Sequence, residues 1–182
     1  ITQAITSADS RMFLFNKETG EKTYISDHEG NATYSPQFFS LDNANLYYTT
    51  DEGSDFVYLA KRNLNTGAVE KVFETNWDVW YAYDSWNEKY RVIGINKDAK
   101  TVVKVINHET GQEVQLPKIS GGSITSVNIS KNEKFACLMV STSSTPSNMY
   151  VYNFETNELK KLTDTLNPEI DATDLVEGQV VH

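Results

Sequence analysis

Short segments of alternating polarity follow one another along the chain, separated by small clusters of turn residues. No window holds the i, i+3, i+4, i+7 apolar spacing of an amphipathic helix, so the periodicity predicts strands almost throughout. Four groups emerge. The first is a partial pair over 12–16 and 22–25, without clear inner strands. The second covers 34–40, 46–50, 56–63 and 69–73. The third covers 77–83, 90–95, 102–107 and 113–116. The fourth covers 124–130, 135–141, 149–154 and 159–162. After Thr163 the pattern breaks into an acidic, extended segment that begins at Asn167-Pro168.

The turns between these strands repeat. Glu18-Thr19-Gly20, Asn65-Thr66-Gly67, Glu109-Thr110-Gly111 and Glu155-Thr156-Asn157 share one chemistry, and their threonines are 47, 44 and 46 residues apart. Gly and Asn best tolerate the positive φ that a tight hairpin demands. A second marker, Ser40-Leu41-Asp42-Asn43, Ser85-Trp86-Asn87-Glu88 and Ser130-Lys131-Asn132-Glu133, runs in phase with serines 45 residues apart. Two independent turn types on one period near 45, with about four strands per unit, predict propeller blades. The expected fold is therefore all-β: a partial β-propeller of four-stranded antiparallel blades, about three and a half in number. The expected organisation is a propeller over 1–163, with blades at 1–30 (incomplete), 31–75, 76–118 and 119–163, and a linker over 164–182.

Composition agrees with this class. Aromatics make up 12% of the 182 residues and include 10 Tyr, while Pro is scarce at 4. Aromatic and β-branched residues suit pleated, half-buried surfaces. The net charge of −9 argues against a nucleic-acid partner, which needs a basic stripe. No apolar run approaches the roughly 18–20 residues of a membrane helix. The lone Cys137 excludes an internal disulfide and a multi-cysteine zinc site, and suits cytosol and periplasm equally. Ile1-Thr2-Gln3-Ala4 has neither an initiator Met nor the basic and apolar parts of a secretory signal, so the chain reads as a piece of something longer.

Candidate chemistry is sparse. Gly121-Gly122-Ser123-Ile124-Thr125 approximates a nucleophile elbow, but Thr replaces the last Gly and a strand follows rather than a helix. It reads as the loop entering the fourth blade. His28, His108 and His182 have no partner at metal-ligand spacing, and neither a metal nor a cofactor is expected. Asp51-Glu52-Gly53-Ser54-Asp55 lacks the ordered loop of a calcium site and reads as a solvated hairpin turn. Asp51 and Asp55 could meet a basic substrate terminus if they face a cavity. The segment from Trp77 to Asp84 is the richest in rings. Alternation places Trp77, Val79, Tyr81 and Tyr83 on one face, and Asp78, Trp80, Ala82 and Asp84 on the other. Blade packing accounts for most of these rings. An innermost strand also lines a propeller's channel, which makes Trp77, Asp78, Trp80 and Tyr81 substrate-channel candidates. Asn31-Ala32-Thr33 and Asn128-Ile129-Ser130 match the glycosylation pattern and carry no assigned function.

Several stretches resemble a known family. His28-Glu29-Gly30 with Ser35-Pro36, then Leu46-Tyr47-Tyr48-Thr49-Thr50-Asp51-Glu52-Gly53 and Tyr58-Leu59-Ala60, looks like a blade of the prolyl oligopeptidase family, in its acylaminoacyl-peptidase and dipeptidyl-peptidase branches. Trp77-Asp78-Val79 resembles the opening of the next blade, and Pro146-Ser147-Asn148-Met149-Tyr150-Val151-Tyr152 the outer hairpin of the last. Asn167-Pro168-Glu169-Ile170-Asp171 with Asp174-Leu175-Val176-Glu177 is similar to the segment by which the last blade hands over to an α/β-hydrolase domain. TolB-like propellers share the blades, so the junction discriminates. The resemblance implies a non-catalytic propeller that caps the hydrolase domain of a serine peptidase and gates access of peptides. It places the triad beyond His182, so no residue here takes a catalytic role. The aminopeptidase members' paired-glutamate motif has no match. The alternative is a TolB-like propeller that binds a partner protein or a carbohydrate. Self-association through the exposed faces of terminal blades is expected as well.

Overall fold

A computed structural model describes residues 1–120, 122–142, 145–171 and 174–176. These form four antiparallel sheets, the arrangement of a partial β-propeller. The first sheet is β1 (Thr2–Thr6), β2 (Asp9–Phe15) and β3 (Lys22–Tyr24), in that order. The second is β4 (Tyr34–Phe39), β5 (Asn45–Thr50), β6 (Tyr58–Asn63) and β7 (Val69–Phe73). The third joins β8 (Asp78–Asp84), β9 (Tyr90–Lys97) and β10 (Lys100–Asn107). The fourth is β11 (Ser123–Ile129), β12 (Phe135–Ser141), β13 (Asn148–Asn153) and β14 (Leu159–Lys161). The chain divides into two compact units, Ile1–Tyr83 and Asp84–His182.

In the first unit Met12, Tyr34, Leu46, Tyr48 and Ala60 close a core between the first two sheets. Fully burying a side chain such as Met12 or Leu46 contributes about 1.5–3 kcal/mol. In the second unit Val92, Ile93, Val105, Val127, Leu138 and Val140 are buried. Within it Arg91, itself buried, clasps Asp84 through two hydrogen bonds of 2.7 Å, and His108 Nε2 lies 3.3 Å from the same carboxylate. A buried guanidinium needs such a bidentate partner to offset its desolvation.

Two side-chain-capped turns recur in the sheets. In one, the serine N–H donates to the carbonyl five residues on, and the serine carbonyl accepts from a residue with φ of 57°: Asn43, Glu88 and Glu133 in turn. The serine Oγ also accepts from the first strand amide, Asn45, Tyr90 or Phe135, at 3.0, 2.9 and 3.1 Å. In the other, Asn16, Asn63, Asn107 and Asn153 each accept two amide protons through Oδ1, and Gly20, Gly67, Gly111 and Asn157 supply the positive φ. The two turn types are bonded to each other in three sheets, by Leu64 N–H to Ala44 O, His108 N–H to Lys89 O, and Phe154 N–H to Lys134 O, at 2.8, 2.9 and 2.9 Å.

The middle serine turn departs from its sisters. In the outer two, Asp42 and Asn132 accept the serine hydroxyl, at 2.5 and 2.7 Å. Ser85 instead donates to Glu133 of the next serine turn at 2.5 Å, and Asn87 N–H and Lys89 N–H donate to the same oxygen at 2.8 and 3.3 Å. The Glu133 carboxylate thus caps a turn 48 residues earlier in sequence and ties the third sheet to the fourth.

Three expectations need correction. β1 was not anticipated, because all five of its residues are exposed and its sequence TQAIT has no alternation to read. The outer strand expected at 113–116 is a single bridge, Ile106↔Glu113. Pro117 follows at once and has no N–H for a ladder. Blades of four strands are therefore realised in the second and fourth sheets, and the first and third have three. Strict alternation also fails in β8, where the buried positions are Val79 and Ala82, three apart, with Trp80 exposed between them. In the three other leading strands, β1, β4 and β11, the register shifts, between Ala4 and Thr6, between Pro36 and Phe38 and between Ile124 and Ser126. Of the stretch expected as the loop entering the fourth blade, Gly122 lies before the strand, whereas Ser123, Ile124 and Thr125 belong to β11; a Cβ at Gly122 would stand 2.7 Å from Val140 Cγ1. Gly121 and His182 lie outside the described residues.

Burial raises the Glu133 pKa, but the hydrogen bonds from Ser85, Asn87 and Lys89 outweigh it and hold the carboxyl below its ordinary value of 4.5. A depressed carboxylate contributes stability above its unfolded pKa and loses it as pH falls through the folded one. Glu133→Gln is expected to cost about 2 kcal/mol at neutral pH. The deficit should shrink on acidification below about pH 4, as measured by urea unfolding.

Candidate functional site

A cavity of about 440 Å³ lies within the first unit, bordered by the end of the loop before β4 and by parts of β4, β5 and β8. Asp78, Trp80 and Tyr81 of β8 line it together with Thr33, Tyr34, Ser35, Thr49 and Val57. Asp78 and Trp80 stand 45 residues after Thr33 and Ser35, so one repeat period places equivalent positions side by side. Of the channel candidates, Asp78, Trp80 and Tyr81 are brought together, whereas Trp77, Asp51 and Asp55 do not line the cavity. Asp51 acts behind it: its Oδ1 accepts the Thr33 N–H at 2.6 Å. Asp55 is exposed in the β5–β6 connection.

The β8 end of the cavity is fixed by backbone. Val57 N–H donates to Asp78 Oδ1 at 3.0 Å, and Val79 N–H donates to Val57 O at 2.9 Å. The second Asp78 oxygen has no hydrogen-bond donor among the described residues, so the carboxylate keeps accepting capacity. Trp80 is 57% exposed, which leaves an indole face for stacking. Burial pushes the Tyr81 phenol up, so it stays protonated.

Gln37 was not read from the sequence. It sits at the register shift of β4, where the extra residue re-aims a side chain. Its Nε2 donates to Ser35 Oγ and Thr49 Oγ1, both at 3.3 Å, and its Oε1 accepts the Ala82 N–H at 3.2 Å. One amide thus couples three strands around the cavity. The available signal was its position 45 residues before Ala82, on the period of the repeat. Ser35 and Thr49 were also missed, because hydroxyl residues in strands carry no signal of their own, and so was Thr33, in the loop before β4.

Behind Tyr34 lies His28, its ring 5.1 Å from that of Tyr34. Its Nδ1 faces the Ser26 carbonyl at 2.7 Å and its Nε2 faces Asp9 Oδ1 at 3.2 Å. Both partners can only accept, so the doubly protonated ring satisfies both contacts. The Tyr34 hydroxyl makes no hydrogen bond of ordinary length. Burial first, and then the neighbouring Glu52 carboxylate, pushes its pKa far above the usual phenol range. Burial likewise pushes Tyr48 up to about 12.

The arrangement is suited to holding a ligand. It offers a carboxylate oxygen, hydroxyls and an exposed indole, and no histidine borders it. Neither described histidine is hydrogen-bonded to a hydroxyl or thiol. Among the described residues no group of three or more His, Cys, Asp or Glu could hold a metal, and no helix is long and apolar enough to cross a membrane.

The Ser26 carbonyl, opposed by burial and aided by Asp9 and Glu52, raises the His28 pKa above its ordinary 6.5. A raised histidine contributes stability that is fully present below the unfolded pKa and lost as pH rises through the folded one. The urea midpoint of the protein should therefore decline as pH rises above about 6.5, and the His28→Gln variant should lack this component of the slope. Parallel profiles for the two proteins would contradict it.

No family model and no curated protein matches the chain. Solved structures do. A structure from an analysis of two prolyl endopeptidases is similar with a TM-score of 0.68 and 16% identity, covering 89% of this chain and 24% of that one. Prolyl oligopeptidase B from Galerina marginata has a TM-score of 0.67 and 18% identity, covering 92% of this chain and 25% of that one. TolB from Acinetobacter baumannii has a TM-score of 0.64 and 16% identity, covering 88% and 39%. The chain thus spans between about a quarter and two-fifths of these proteins. At such identities the likeness is one of fold: the chain shares its propeller architecture with prolyl oligopeptidases and with TolB alike.

Proposed function

We propose that this chain is the C-terminal part of the non-catalytic propeller of a prolyl-oligopeptidase-family serine peptidase, where it caps an α/β-hydrolase domain and gates the entry of peptides. The observation that carries this reading is the sequence Asn167-Pro168-Glu169-Ile170-Asp171 with Asp174-Leu175-Val176-Glu177. It comes after the last strand, β14, and resembles the family's handover to its hydrolase domain. The prolyl oligopeptidase structures support it through their fold. The cavity supports it through chemistry: Asp78 and Trp80 offer an acceptor and a stacking face to a passing peptide, and the site has no nucleophile–base pair of its own. Propeller 1–163 and linker 164–182 remain the proposed organisation.

The second reading, a TolB-like propeller that binds a partner protein or a carbohydrate, is favoured by the likeness to TolB. A fluorophosphonate probe applied to the full-length protein separates the two. The peptidase reading expects a single labelled serine beyond His182, and no labelling of the 182-residue chain alone. In the labelled protein Trp80→Ala should change kcat/KM for a peptide substrate several-fold and leave a small activated ester within about twofold. Absence of labelling in the full-length protein, or a labelled serine within these residues, would overturn the peptidase reading.

A further inference from the structure

The outer edge of β10 is open. β9 and β10 form a two-residue hairpin closed by Lys97↔Lys100, with Asp98 and Ala99 both at positive φ, 55° and 57°. In such a hairpin Lys100, Val102 and Lys104 bond back to β9, while Thr101, Val103, Val105 and Asn107 turn their N–H and C=O groups outward. The outward groups of the last two are used: Val105 O accepts from Val114 N–H at 2.7 Å, and Asn107 N–H donates to Gln112 O at 2.9 Å. The outward backbone groups of Thr101 and Val103 have no partner among the described residues.

The cause lies in the sequence that follows. Pro117 stands six residues beyond Gly111, as Phe73 stands six beyond Gly67, and Phe73 pairs with Leu59 in the second sheet. Proline has no proton to donate there. The chain leaves the ladder and runs past β10 through Leu116, Pro117 and Ile119. Between this segment and Thr101, Val102 and Val103 lies a groove of about 400 Å³.

Charge selects the occupant. Lys97, Lys100 and Lys118 are exposed, and none has a carboxylate within 4.0 Å among the described residues. Lys104 is paired with Glu113. This edge is thus locally basic on a chain of net charge −9. Two copies meeting edge to edge would bring like charges together, which opposes pairing between copies. An acidic strand meets no such repulsion.

We propose that the β10 edge docks an extended acidic segment of a partner polypeptide, which adds as a fourth strand on Thr101 and Val103 and lays alternate apolar side chains into the groove beside Leu116 and Ile119. Main-chain bonds supply the affinity in this mode, and the groove and lysines supply the choice of partner.

The test uses the protein with a fluorescent eight-residue peptide that alternates valine with aspartate. Its controls are the same peptide with lysine in place of aspartate, and one N-methylated at alternate amides. Saturable binding should perturb the Thr101 and Val103 amide resonances. N-methylation in the register that faces β10 should weaken binding about tenfold, since two hydrogen bonds are lost. Lys100→Glu with Lys118→Glu should weaken the acidic peptide several-fold and favour the basic one. In Val103→Pro, which removes an outward N–H from an edge strand, binding should fall while the β9 resonances persist. No binding at about 1 mM peptide, binding indifferent to N-methylation, or occupation of the edge by a second copy in the absence of peptide would each overturn the proposal.

Discussion

Each sheet depends on a constraint at its turns. A strand's side chains alternate with period two, so a slip of one residue would exchange core and solvent faces. Here the slip is resisted at one end of the central strands, by residues held at positive φ and by side-chain oxygens that accept the turn amides. The serine turn sets β4 against β5, β8 against β9 and β11 against β12, while the asparagine turn sets the strands that follow. Since the two turns are also bonded to each other, an entire sheet is registered from one end.

The constraint extends to neighbouring sheets by reuse of the same positions. Glu133 supplies the positive φ of its own turn and the capping oxygen of another. The left-handed backbone disfavours a residue with a Cβ, and the carboxylate's four hydrogen bonds, from the backbone and side chains of Ser85, Asn87 and Lys89, offset that cost. In the first unit Gln37 has a comparable role, since a residue displaced by a register shift reaches the strand one period later. The cavity owes its shape to that link, and its polar rim to equivalent positions of successive repeats, Thr33 and Ser35 beside Asp78 and Trp80.

Much of this was legible in the sequence because the turns are written in residue types. Glycine or asparagine at the positive-φ position and serine at the start of the hairpin both recur at the blade period. The capping asparagines 16, 63, 107 and 153 passed unnoticed beside the more conspicuous Thr-Gly pairs, although they make the bonds. β1 was invisible because it buries nothing on either face. The third sheet's outer strand was overpredicted because Glu113–Leu116 has the right composition, and only Pro117 betrays that pairing stops. At the cavity, rings and carboxylates in one dense segment drew attention to Asp78, Trp80 and Tyr81. The hydroxyl half came from a segment without such a signature. Asp51 has a supporting contact, which a sequence cannot distinguish from a lining one.

Native-state hydrogen exchange of Leu64, His108 and Phe154 tests the turn-to-turn constraint most directly. These amides belong to turns on the protein surface, and an ordinary surface turn would leave them to exchange in small local openings. If the paired turns register each sheet, their protection should approach that of core amides such as Val92 and Leu138 and disappear with them as denaturant is raised. Exchange at the rate of the exposed loops, independent of the core, would show that the turns follow the sheets rather than set them.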